Sequence, residues 1–214
     1  METVLILDFG AQYSQLIARR VREQNVYCEV KPCSISPDEI RELAPIGIIL
    51  SGGPQSVYES VSLHVDPALF SLGIPVLGIC YGCQLMAYSL GGTVAAATEA
   101  LTEFDTESAI FHGLPASSVT WMSHGDYISQ VPDGFTVTAK TAVCPTAAMA
   151  CPEKKLYGVQ FHPEVQHTVQ GSEILRRFLY SVCGASGDWT MADYRQTAIR
   201  AIREKVGSGR ALLA

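Results

Sequence analysis

Pro75-Val76-Leu77-Gly78-Ile79-Cys80-Tyr81-Gly82 is the stretch on which the reading of this chain turns. The apolar run Pro75 to Ile79 has the length of a buried strand, and a helix-compatible run, Tyr81 to Leu90, follows with no spacer. A strand that turns at once into a helix puts the corner residue in a strained, exposed position, and glycines on either side allow the tight fold. Here the corner is Cys80. A cysteine there has its sulfur near a helix N-terminus, where unpaired N–H groups and the positive end of the dipole favour thiolate over thiol.

Outward from this corner the same alternation repeats. Val4 to Leu7 reads as a buried strand, and Gln12 to Gln24 has helical spacing with Leu16, Ile17 and Val21 on one side. Val26 to Val30 reads as a strand. Ser36-Pro37-Asp38-Glu39 starts a helix with a hydroxyl cap, proline at the first position and acids in the first turn; it ends near Leu43. Gly47 to Leu50 is a further strand, and Asp66-Pro67 starts another helix. Strand, helix, strand in this order predicts an α/β fold with an open, mostly parallel sheet flanked by helices. Beyond Gly91-Gly92 the texture changes to short strands: Val119 to Met122, Phe135 to Ala139, Ala147 to Ala150, then Leu156 to Phe161. Ser172 to Val182 reads as a helix and Gly184 to Asp188 as a linker. Met191 to Val206 reads as an amphipathic helix with Ala198, Ile202 and Val206 on one stripe. Ala211-Leu212-Leu213-Ala214 reads as the beginning of a strand.

A thiolate that attacks an amide needs a base, a group to orient the base, and N–H donors for the developing oxyanion. His162-Pro163-Glu164 follows the strand Leu156 to Phe161. Pro163 biases His162 toward an extended conformation, which would let the Glu164 carboxylate lie beside the imidazole and hold its tautomer. Ser51-Gly52-Gly53-Pro54 also follows a strand, at the carboxyl edge where open α/β sheets place ligands. The Gly53 and Tyr81 N–H groups would make a two-donor oxyanion hole, each donor contributing roughly 3–4 kcal/mol. Each motif alone has a plainer reading: a buried cysteine as packing, a satisfied histidine, a glycine turn. Cys80-Tyr81-Gly82-Cys83 also has the spacing of a redox motif. It is their shared place at strand ends of one sheet that favours chemistry. No second Cys/His pair has zinc-ligand spacing.

Bulk properties narrow the class. In 214 residues, 48% are hydrophobic and 17% charged, which predicts a sizeable core. The net charge of -6 argues against a nucleic-acid or anionic-membrane surface. No apolar run reaches the length of a membrane span, and the first strand leaves no room for a signal peptide. Seven scattered cysteines argue against a disulfide framework and for a reduced, cytoplasmic setting.

These residues resemble the class I, triad-type glutamine amidotransferases, and more narrowly the amidotransferase domains of the GMP synthase family. The general signature is Cys80 with Gln84 four residues on, plus His162-Pro163-Glu164. The narrower one is Ile6 to Tyr13 with Ile17 to Glu23, then Trp121-Met122-Ser123-His124-Gly125-Asp126, then Tyr157 to Val165. The resemblance implies a flavodoxin-like fold with added short antiparallel strands, Cys80 attacking the side-chain amide of glutamine, His162 as base then acid, and Glu164 as orienter. It implies that Gln84, Ser123, His124, Gly125 and Asp126 hold the α-amino and α-carboxylate groups of glutamine, with His124 shaping the pocket. It also implies a domain at 1–183, and at 184–214 a linker, a bridging helix and the first strand of an ATP-pyrophosphatase (synthetase) domain. That synthetase domain would bind ATP with Mg2+ and XMP, in a full enzyme able to form a homodimer; no cofactor and no metal are implied for this piece.

The chain departs from the family pattern near Ala100, where about ten residues of a loop and strand are missing by eye. Cys83 receives no role. Two other readings stay open: the same glutaminase chemistry serving another synthase (anthranilate, carbamoyl phosphate, CTP), or a glutamine-binding regulatory module without turnover.

Overall fold

The computed structural model describes residues 2–10, 13–54, 56–58, 63–96, 102–122, 126–142 and 144–210. Among these, the strands form a nine-stranded sheet and a separate antiparallel pair. The centre of the sheet is parallel. Strand β1 (Thr3–Asp8) lies between β2 (Tyr27–Pro32) and β3 (Gly47–Leu50), β3 pairs with β4 (Val76–Ile79), and β4 with β11 (Leu156–Val159). β1 is thus the point where the chain order reverses, and the carboxyl ends of β1, β3, β4 and β11 form one edge.

The central strands read as continuous apolar runs because both faces are covered. Val4, Ile6, Ile49 and Leu77 pack with Ile17, Ala18 and Val21 of α1 (Ser14–Glu23) and Ile174 and Leu175 of α4 (Gly171–Arg177). Leu5, Leu7, Ile48 and Leu50 point the other way, onto Ile40 of α2 (Pro37–Leu43) and Leu85 and Met86 of α3 (Tyr81–Ser89). α2 begins as its sequence predicts. Ser36 Oγ accepts the Glu39 N–H while the Glu39 carboxylate accepts the Ser36 N–H, a closed capping box.

Beyond β11 the sheet continues antiparallel through β10 (Ala148–Cys151), β9 (Thr136–Thr141), β6 (Thr102–Phe104) and β7 (Ser117–Ser118). The separate pair is β5 (Thr93–Ala96) with β8 (Asp126–Gln130). These are the short antiparallel strands the resemblance implied.

Several elements differ from expectation. Asp66 caps a five-residue 3-10 turn, Pro67–Ser71, rather than an α-helix. α4 stops at Arg177 and continues as a π-helical turn, Phe178–Val182. Val119 to Met122 is not a strand, because its backbone bonds a turn instead of a ladder: Val119 C=O accepts from Val169 N–H and Trp121 C=O from His162 N–H. Helix α5 (Met191–Val206) forms, but none of its side chains is buried. Its expected stripe is only half covered, with Ile202 61% exposed. At its root Tyr194 stacks on Tyr27, 5.6 Å between ring centres, beside Trp189. The strand expected at Ala211 to Ala214 and the shortened stretch around Ala100 lie outside the described residues.

Candidate active site

Cys80 is the N-cap of α3 and has φ 52°, ψ −108°, a region non-glycine residues avoid. The strain is held in place from several sides. The Cys80 N–H donates to Val159 C=O at 2.9 Å, and its C=O accepts from Cys83 and Gln84 N–H at 3.0 and 3.1 Å. The glycines explain how the corner fits. A Cβ on Gly78 would lie 2.6 Å from Gly82 O, and one on Gly82 would lie 2.5 Å from Leu50 O. Only with both bare can the helix start rest directly on β3 and β4.

β11 runs parallel to β4 and delivers His162 to the same edge. His162 Nδ1 is 2.8 Å from Glu164 Oε1, which leaves Nε2 for Cys80, whose sulfur is close enough to the ring to raise its pKa. All three side chains are almost covered: Cys80 is 4% exposed, His162 5% and Glu164 1%. Burial, the largest influence, pulls the His162 pKa down. The hydrogen bonds and negative charges of Cys80 and Glu164 together outweigh it and lift the value from 6.5 to about 10. The pairing of His162 with Glu164 was expected on an extended segment. The strand in fact ends at Val159, and the contact is made through a turn over 163–171, closed by Thr168 N–H to Val165 C=O and Gly171 N–H to Thr168 C=O.

The glycine loop after β3 comes to the same place. A Cβ on Gly53 would sit 3.1 Å from the Tyr81 ring, so the loop lies against the first turn of α3. The Gly82 N–H donates to Ser51 C=O at 3.1 Å, which joins loop and helix. Gly53 and Tyr81 are thereby brought beside the Cys80 corner. Gln84 Nε2 donates to the Asp126 carbonyl oxygen at 2.9 Å, so two of the expected glutamine-binding residues are in direct contact. Ser123, His124 and Gly125 lie outside the described residues.

Three further residues belong to this constellation; Tyr13 and Arg20 fall within the signature runs but receive no role there, and Thr168 lies outside them. Arg20 Nε, on α1, donates to the Glu164 carbonyl at 2.9 Å. Thr168 Oγ1 donates to the His162 carbonyl at 2.6 Å and accepts the Trp121 N–H at 3.0 Å. Tyr13 sets its ring edge-on to His162, 5.8 Å between centres. Cys83 faces away from this chemistry. It is fully buried, burial pushes its thiol well above the ordinary range, and its Sγ occupies the space a Cβ on Gly158 would need. All seven cysteines are unbridged. Two cavities lie elsewhere, of about 570 Å³ near Lys31, Ser34 and Leu43 and about 700 Å³ near Glu2, Trp189 and Ala198.

A buried cysteine–histidine–carboxylate set at a strand-to-helix corner, with a glycine loop alongside, is an arrangement for nucleophilic attack on an acyl group. Among the described residues no group of three His, Cys, Asp or Glu is placed to hold a metal ion, and no helix is long and apolar enough to cross a membrane.

Comparison with known proteins agrees with this geometry. The chain is 52% identical to the GMP synthase [glutamine-hydrolyzing] of Clostridium botulinum (strain Alaska E43) and 51% identical to that of Geobacillus kaustophilus. The whole chain is covered in both cases, but it spans only 42% and 43% of those relatives' length. Both alignments run over 218 positions, about four more than the chain has, so the shortening expected near Ala100 is not as large as ten residues. Among solved structures, a Thermoplasma acidophilum protein assigned as one chain of a GMP synthase superposes with a TM-score of 0.77 at 30% identity, covering 93% of this chain and 98% of that one. A Thermotoga maritima glutamine amidotransferase shares the fold, with a TM-score of 0.65 at 19% identity, covering 86% of this chain and 99% of that one. Residues 5–182 match the family described as glutamine amidotransferase class-I, and the chain belongs to that family.

Proposed function

We propose that this chain hydrolyses the side-chain amide of glutamine to glutamate and ammonia. The observation that carries the reading is the Cys80–His162–Glu164 contact set at the positive-φ corner. His162 already holds the proton of the Cys80 thiol, consistent with its raised pKa, and Cys80 Sγ bonds to the amide carbon as the carbonyl π electrons move onto oxygen. The oxyanion so formed is stabilised by the Gly53 and Tyr81 N–H groups. His162 then gives its proton to the amide nitrogen, the C–N bond breaks, and ammonia leaves a glutamyl thioester. Water attacks the thioester with His162 again as base, the C–S bond breaks, and glutamate departs as the thiol is restored. Glu164 keeps the imidazole in the tautomer and orientation that both steps need. Gln84, Asp126 and the segment 123–125 hold the α-amino and α-carboxylate groups of glutamine.

The domain is assigned to 1–183, a boundary supported by the family match ending at residue 182 and by the absence of buried side chains in α5. Residues 184–214 are assigned as the linker and bridging helix toward a synthetase part. The names and greater length of the relatives support ammonia transfer to such a part, which binds ATP with Mg2+ and XMP and forms GMP.

The test is glutamate release from glutamine by the chain and by Cys80→Ala. Turnover that is lost in the variant supports the reading, and equal turnover in both sinks it. Mixing with a synthetase domain and following XMP amination tests the assignment of the product.

A further inference from the structure

The His162 backbone is held on both of its polar groups, one by a segment far away in sequence and the other by a residue six positions on. Its N–H donates to the Trp121 carbonyl at 2.9 Å. Its carbonyl accepts the Thr168 hydroxyl at 2.6 Å, and that same hydroxyl oxygen accepts the Trp121 N–H at 3.0 Å. A hydroxyl can donate and accept at once, so one side chain closes a ring of hydrogen bonds through Trp121, Thr168 and His162. Thr168 is buried, 4% exposed, and the neighbouring Val169 N–H adds a bond to Val119 C=O at 3.2 Å. These contacts are the reason Val119 to Met122 leaves the sheet.

The Asp126 carbonyl accepts the Gln84 side-chain amide, and the Gln84 N–H donates to the Cys80 carbonyl. Hydrogen bonds thus tie Gln84 to the Cys80 corner on one side and Trp121 to His162 on the other. We infer that Thr168 is a positioning residue, which fixes the distance between the base and the nucleophile by locking the His162 turn to the segment 119–122. The inference rests on the glutaminase reading of His162.

Thr168→Val keeps the shape and removes both hydrogen bonds, whereas Thr168→Ser keeps the hydroxyl. The measurements are kcat and KM for glutamine and the pH profile of Cys80 alkylation by iodoacetamide, which needs no turnover. A displaced base predicts a kcat lower by about 10- to 100-fold in Thr168→Val. The KM should stay within about threefold, the alkylation midpoint should move by about 0.5 pH unit or more, and Thr168→Ser should restore both. Wild-type kcat and alkylation in Thr168→Val, or equal losses in the two variants, overturns the inference. If Thr168→Val does not fold, amide hydrogen exchange on the unmutated protein decides. The Trp121 and His162 amides are expected to exchange together and to slow together once Cys80 is alkylated, and independent exchange overturns the inference. Absence of glutamine hydrolysis in the wild type would instead defeat the glutaminase reading, and the alkylation and exchange results would still be read separately.

Discussion

Glu164 Oε1 lies 2.8 Å from His162 Nδ1, and its other oxygen, Oε2, is buried without a hydrogen-bond partner. A carboxylate in that position has little besides the imidazole to balance its charge, so the two groups act as a unit. Glu164→Gln keeps the shape and removes the charge. The expected result is a kcat lower by on the order of 10³-fold with a smaller change in KM, measured as glutamate release. Unchanged kcat would show that orientation of the ring does not depend on this carboxylate.

The raised pKa of His162 also makes a pH-dependent contribution to stability. Below its ordinary value of 6.5 the ring is protonated in both folded and unfolded chain, and the full contribution is present. Between 6.5 and about 10 only the folded chain keeps the proton, so the contribution declines, and above about 10 it is gone. The difference in urea-unfolding free energy between wild type and His162→Asn should therefore be largest near pH 6 and shrink steadily toward pH 10. A constant difference across that range would contradict the assignment.

The backbone at Cys80 separates chemistry from strain. Cys80→Ala and Cys80→Gly should both lose glutamine hydrolysis. Glycine alone relaxes the φ of 52°, so Cys80→Gly should be more stable than Cys80→Ala by about 1–2 kcal/mol in denaturant unfolding. Equal stability of the two would mean that the corner is not strained.

Cys83 and Gly158 meet where α3 rests on β11. A Cβ on Gly158 would come within 2.5 Å of Cys83 Sγ, so Gly158→Ala should cost about 1–3 kcal/mol. Cys83→Ala vacates that space, and the double variant should recover part of the loss. Strict additivity in a double-mutant cycle would count against this contact.

The parallel half of the fold was legible because its strands are buried on both faces and read as unbroken apolar runs, as in Gly47 to Leu50. The corner was legible because strand, cysteine, glycine and helix follow with no gap. Of the antiparallel half, β9 and β10 were legible as Phe135 to Ala139 and Ala147 to Ala150, and β6 and β8 were not. β8, Asp126–Gln130, buries only Ile128, and β6 is three residues long, so neither carries enough periodicity to be seen. Val119 to Met122 looked like a strand by residue type, but its partner is a turn, and pairing partners are not written in local composition. The roles of Thr168 and Arg20 could not be read from sequence for the same reason: each acts on a backbone carbonyl, and any residue has one.

α5 is 16 residues long and buries none of its side chains, with Met191, Ile199 and Ile202 facing solvent. Isolated helices of about this length are only marginally stable in water. What keeps it wound from within is the Thr190 cap on Asp193 and the aromatic root at Tyr27, both at one end. It is in effect an arm clamped at the shoulder, and its stiffness along the remaining turns is decided by whatever surface comes to cover Ile199 and Ile202.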